Sequence, residues 1–139
     1  MDALAIEQIE LELAFLVRHA TSISTYTGNI DRSAYLLLHH ITAQASVGVK
    51  SLAEEFNLDI STVSRQTAAL EQRGFVVRIP DPADRRAYFF QITESGTLAL
   101  AEHRNARLAR VSKKLEGWSD EECRLFGKLL EKLNNAIRG

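Results

Sequence analysis

The stretch "NLDISTVSRQTAALEQRGFVVRIPDPADRRAYFFQIT", residues 57–93, decides the fold. It opens on a tight turn at Leu58-Asp59 and predicts a helix from about Ser61 to Arg73. Gly74 stops that helix, because glycine enters the left-handed conformation of a helix C-terminus without strain. Val63, Ala68 (with Thr67) and Leu70 recur at helical spacing and are expected to face a core. Two runs rich in β-branched and aromatic residues follow, "FVVRI" at 75–79 and "AYFFQIT" at 87–93. In the second, Tyr88, Phe90 and Ile92 share one face by the period of two. Between the runs lie both prolines of the chain, Pro80 and Pro82, and the cluster Asp84-Arg85-Arg86. A helix leading directly into a hairpin with a charged tip is the centre of the molecule.

Working outward, "KSLAEEFN" at 50–57 is a short helix with Leu52, Ala53 and Phe56 inward. "RSAYLLLHHITAQA" at 32–45 is a longer one that Gly48 breaks, with a residue or two of strand expected near 47–49. From Leu4 to about Tyr26, Ile6, Ile9, Leu13, Leu16, Ala20 and Ile23 form a helical stripe. Leu4, Leu11, Phe15 and Val17 lie off that stripe, so this helix is apolar on more than one side and needs a second partner, in this chain or in another copy. Beyond the hairpin, Thr93 caps a helix over about 94–116 with the stripe Leu98, Ala101, Leu108, Val111 and Leu115. "SDEE" at 119–122 is a capping box for a last helix carrying Leu125, Leu129, Leu133 and Ile137. The order is α-α-α-α-β-β-α-α, mainly α with a small β-hairpin.

The bulk properties narrow the function classes. At 139 residues with no linker the chain is expected to be one domain, and a net charge of -1 gives no global attraction to nucleic acid or anionic membrane. Any basic surface must be local. The single cysteine, Cys123, rules out an internal disulfide and sits beside Glu121 and Glu122, the wrong field for an activated thiol. Acids interrupt the apolar opening, which argues against a secretory signal, and no run is apolar enough to span a membrane; a cytoplasmic protein is expected. No nucleophile triad, phosphate-binding glycine loop or paired-cysteine metal site is present, so neither an enzyme nor a cofactor is expected. His39 and His40 diverge by roughly 100° on a helix and cannot chelate one ion together, so no metal site is expected.

A short helix, a turn, a second helix and a hairpin form the order of a winged helix-turn-helix. In such a module the second helix enters the major groove, and its exposed face must carry donors and acceptors. Here that face is Ser61, Thr62, Ser64, Arg65 and Gln66: hydroxyls suited to phosphates, an arginine able to bridge guanine, a glutamine able to bridge adenine. Lys50 and Ser51 open the preceding helix, where a backbone contact would fall.

Residues 52–96 resemble the core of the MarR family of bacterial winged-helix regulators. The likeness rests on the "LA" helix, the "STVSR" recognition helix, "LEQRG" at its end, the "DPADRR" wing and the "ITESG" exit, with Ile92 in place of a leucine. The flanking helices are similar too, so the resemblance covers nearly the whole chain. It implies a homodimer, with 1–30 and 97–139 as dimerisation helices around a DNA-binding lobe at 31–96. It implies double-stranded DNA as partner, Arg86 as the wing arginine that enters the minor groove, Asp84 as the carboxylate that orients it, and Arg85 as a phosphate contact. It also implies a repressor released by a small aromatic or anionic effector held between the dimerisation helices and that lobe, where His19, Tyr26, Tyr35 and His39 are the candidates. The competing reading is a winged-helix module that binds protein and not DNA.

Overall fold

The computed structural model describes residues 1–23, 30–44 and 47–139, with side chains through Ala20 in the first segment. Its helices are α1 (Ala3–Ile23), α2 (Arg32–Ala43), α3 (Val49–Phe56), α4 (Ile60–Gln72), α5 (Glu94–Lys114) and α6 (Asp120–Arg138), with strands β1 (Val76–Asp81) and β2 (Asp84–Ile92) between α4 and α5. The expected order holds. The chain divides into two compact units, Met1–Arg107 and Leu108–Gly139. No helix among the described residues is long and apolar enough to cross a membrane.

In the first unit, α2, α3, α4, the hairpin and the start of α5 close around one core. Leu38, Leu52, Val63, Val47 and Val76 are almost completely buried, and Phe90 and Leu100 nearly so. Removing each such side chain from water contributes about 1.5–3 kcal/mol. The helix ends follow local chemistry. Asp31 caps α2 by accepting from the Ala34 N–H at 2.8 Å. Asn57, at φ 51°, ends α3, and the Leu58 N–H reaches back to the Ala53 carbonyl, which leaves only 57–59 between α3 and α4. Gly74, at φ 79°, ends α4: its N–H donates to Glu71 and that of Phe75 to Leu70, the paired bonds of a Schellman turn.

Two expected core faces need correction. Of the expected pair on α4, Thr67 is buried, its hydroxyl satisfied by donating to the Val63 carbonyl at 2.8 Å, whereas Ala68 is exposed. On α5 the buried residues are Gly96, Ala99, Leu100 and His103, whereas Leu98, Ala101, Leu108 and Val111 of the expected stripe are exposed. That helix has two apolar faces, and its own lobe covers the other one. Nor is any large apolar side chain of α1 between Leu4 and Val17 buried.

The strands run further toward the tip than the sequence predicts, through Asp81 on one side and from Asp84 on the other. They pair antiparallel from Val76–Ile92 to Pro80–Tyr88, and the Val47–Phe90 bridge adds the expected fragment of strand on the other edge of β2. Then the register slips, so that Asp81 faces Asp84 and Arg85–Ala87 stand outside the ladder. The slip falls beside Pro80, which has no N–H to donate. At the base, the Thr93 hydroxyl donates to the Gly74 carbonyl at 2.6 Å and accepts from the Gly96 N–H at 3.0 Å. Gly96 must be glycine, since a Cβ there would run into the Phe75 carbonyl oxygen.

In the second unit, Ser119 and Glu122 form the expected reciprocal cap of α6, with bonds of 3.1 and 2.9 Å. The Trp118 and Phe126 rings pack with centroids 5.3 Å apart. No residue of α6 is buried, and Leu125, Leu129, Leu133 and Ile137 lie exposed along one face.

Candidate nucleic-acid interface

The short α3–α4 turn and the Schellman turn after α4 set three elements side by side. Lys50, Ser51 and Glu54 of α3, Ile60 and Ser64 of α4, and Arg86 of β2 line one open cleft of about 650 Å³. Four of the residues expected from sequence, Lys50, Ser51, Ser64 and Arg86, therefore meet on one surface. Ser61, Thr62, Arg65 and Gln66 continue it along α4, with Ser61 and Arg65 exposed and the other two half-buried. The Arg65 Nη2 donates to the Thr62 hydroxyl at 3.4 Å, a weak, solvent-exposed bond. At the start of α4, Asp59 occupies the cap position with no side-chain hydrogen bond, so side chains leave the first N–H groups untaken.

The hairpin tip is built by its aspartates. Asp81 accepts from the Ala83 N–H at 2.9 Å and Asp84 from the Arg86 N–H at 3.0 Å, each folding back on the main chain two residues on. The Asp84 bond is to the Arg86 main chain and not to its guanidinium. Arg85 and Arg86 are both exposed on the unpaired segment. Arg78, further down the hairpin, behaves differently: its Nε donates to Glu71 of α4 at 3.1 Å.

Sequence reasoning missed Ile60 and Glu54. Ile60 is 56% exposed at the mouth of the cleft, although an isoleucine at a helix start is ordinarily assigned to a core. Of the effector candidates, Tyr35 is half-buried against His103, with ring centroids 4.7 Å apart and Arg107 5.2 Å above its ring. His39 and His19 are exposed, and Tyr26 lies outside the described residues. Among the described residues, Tyr35, His39 and His19 line neither the cleft nor the recesses of about 370 and 300 Å³ beside the hairpin and α4. His103 and Arg107 were not anticipated; nothing in a sequence pattern marks a buried histidine as the partner of a tyrosine many residues away. No cluster of three or more potential metal ligands occurs among the described residues.

Helix, three-residue turn, helix and adjoining hairpin, sharing one cleft, define a winged helix-turn-helix. The MarR family model matches residues 30–88. The HTH-type transcriptional regulator YxaD of Bacillus subtilis is 42% identical over 135 residues, covering 95% of this chain and 94% of that protein. A MarR family protein from Bacillus stearothermophilus superposes with a TM-score of 0.78 at 24% identity, over 100% of this chain and 99% of its own. A mutant MarR from Escherichia coli complexed with operator DNA gives a TM-score of 0.71 at 18% identity, over 96% of this chain and 99% of its own. The chain belongs to the MarR family of transcriptional regulators.

Proposed function

We propose that this protein represses transcription as a homodimer, binding double-stranded DNA at a pseudo-palindromic operator. The observation that carries the reading is the cleft in which Lys50 and Ser51 of α3, Ser64 of α4 and Arg86 of the wing converge from three elements. In this reading residues 31–96 form the DNA-binding lobe. Helix α4 lies in the major groove, with Ser61, Thr62, Ser64, Arg65 and Gln66 toward base edges and phosphates. Arg86 enters the adjoining minor groove, where the potential is most negative, and Arg85 and Lys50 meet phosphates. That E. coli MarR has been solved with operator DNA supports the assignment. The exposed apolar faces of α1 and α6 support a second copy as their cover, with 1–30 and 97–139 as dimerisation helices. Release by a small aromatic or anionic effector belongs to the same reading; Tyr35 and His39, one turn apart on α2, are the first residues to vary in testing it.

A fluorescence anisotropy titration against duplex DNA at several salt concentrations is the test. With Lys50 and Arg85 of two protomers on phosphates, log K should fall against log salt with a slope of about -4. Absence of salt-dependent binding would favour the second reading, a module that binds protein through its wing. For that reading the supporting observation is Val77 and Ile79, apolar and 43% and 40% exposed on the hairpin.

A further inference from the structure

Of the hairpin's three arginines, Arg78 stands apart. It pairs in register with Phe90, so it shares the strand face of Val76 and Phe90, the face turned toward the helices. There its Nε donates to Oε1 of Glu71 on α4 at 3.1 Å, and its guanidinium carbon lies 4.4 Å from the centroid of the Tyr88 ring. Tyr88 in turn meets the Phe90 ring edge-on at 5.5 Å and lines the cleft beside Arg86. One side chain thus ties α4, β1 and β2 together, two residues before the ladder slips at Pro80. Between α4 and β1 the chain is only 73–75, where the Schellman turn and the Thr93–Gly74 bond hold the base of the hairpin, and Arg78 makes its contact further toward the tip.

We infer that Arg78 and Glu71 are positioning residues that set the wing's angle against α4, and do not themselves touch DNA. The inference rests on the proposed DNA-binding function and says how its two halves are kept in register: α4 and Arg86 engage one duplex only if the span between groove and wing is fixed. The pair is exposed (43% and 37% of each side chain), so its contribution to overall stability is small. Its work is geometric: contact with a tyrosine ring and a bond to a carboxylate favour one arrangement of the arginine before DNA arrives. The contrasting assignment is that Arg78 is a third phosphate contact. The two differ in sign at Glu71, because removing an acid near DNA should strengthen binding if charge is all that matters.

The test uses the full chain and four proteins: wild type, Glu71→Gln, Arg78→Gln and the double variant. Affinity is measured against a duplex selected from random sequence, over a range of salt, and amide hydrogen exchange is measured without DNA. Each single variant should bind about three- to five-fold more weakly, the most an exposed pair's coupling supports. The double variant should be no weaker than the singles, the salt slope should stay at its wild-type value, and amides of 76–92 should exchange faster while those of α2 do not. Glu71→Gln binding as tightly as wild type or tighter, or Arg78→Gln lowering the slope by about one per protomer, assigns Arg78 to phosphate and overturns the inference. Unchanged hairpin exchange overturns it on DNA-free grounds. A wild type that binds no duplex counts against the proposed function instead, and the exchange measurement still decides whether Glu71 and Arg78 hold the wing.

Discussion

Replacing Asp84 with alanine removes the acceptor that holds the Arg86 N–H at 3.0 Å, on the segment that stands outside the strand ladder. A hydrogen bond of this kind contributes about 1 kcal/mol, and a residue released from it must be ordered again on binding at about 1–2 kcal/mol. Against this stands the deleted charge. A carboxylate about 10 Å from a phosphate in water repels it by only ~0.4 kcal/mol. Screening over about 8 Å at physiological salt reduces that to ~0.1 kcal/mol. Order therefore outweighs charge, and Asp84→Ala should weaken DNA binding by about 1 kcal/mol, roughly five-fold. Asp84→Asn keeps an acceptor and loses the charge, so it should bind like wild type or up to about two-fold tighter. Anisotropy titrations of both variants at low and physiological salt measure the difference. If Asp84→Ala binds tighter than wild type at physiological salt, the aspartate is only a solubilising turn residue and the reasoning fails.

Arg65→Ala should cost about 1–3 kcal/mol on a selected site and far less on random duplex, and equal losses on both would place Arg65 on phosphate alone. Gly96→Ala forces a Cβ against the Phe75 carbonyl oxygen and should destabilise by about 1–3 kcal/mol, read as a lowered midpoint in thermal denaturation; an unchanged midpoint would contradict the tight approach of α5 to the hairpin base. Wild type should sediment as a dimer at micromolar concentration, and Leu129→Glu, on the exposed stripe of α6, should shift it toward monomer. A compact wild-type monomer would mean that the stripe has some other cover.

The centre of the fold was legible because its signals are local. Gly74, the capping box at Ser119 and Glu122, and the alternation Tyr88-Phe90-Ile92 are each set by chemistry within a few residues, and each is found where it was read. What failed was the choice between faces. Of Thr67 and Ala68, both expected inward, only Thr67 is buried, with its hydroxyl bonded inside its own helix. Leu98 and Ala101 lose the lobe-facing side of α5 to Ala99, Leu100 and the buried His103, which no apolar count would select. In the hairpin, residue types near the tip marked a loop, but the ladder runs on through Pro80 and Asp81. Of the residues expected to contact DNA, Lys50, Ser51, Ser64 and Arg86 line one cleft. Those expected at an effector site rest on the crevice that the family resemblance implies, and one of them, Tyr26, lies outside the described residues.

Residues 49–92 hold six basic and six acidic side chains, so under the proposed function attraction to DNA cannot come from net charge. The structure sorts those charges instead. Glu71 is bonded to Arg78, and beyond a few ångströms the two act as a dipole with little reach. Asp81 and Asp84 are directed at main-chain N–H groups of the tip, where each holds a turn that presents Arg85 and Arg86. Lys50 and Arg86 share the cleft with a single acid, Glu54. A field arranged this way is strong only within about a Debye length of the surface. It gives little long-range steering and little hold on DNA in general, while a duplex that fits α4 and the wing at once gains both sets of contacts. Discrimination then depends on shape and on the angle between wing and helix. That is why the Glu71–Arg78 pair, modest as a contribution to stability, bears on function.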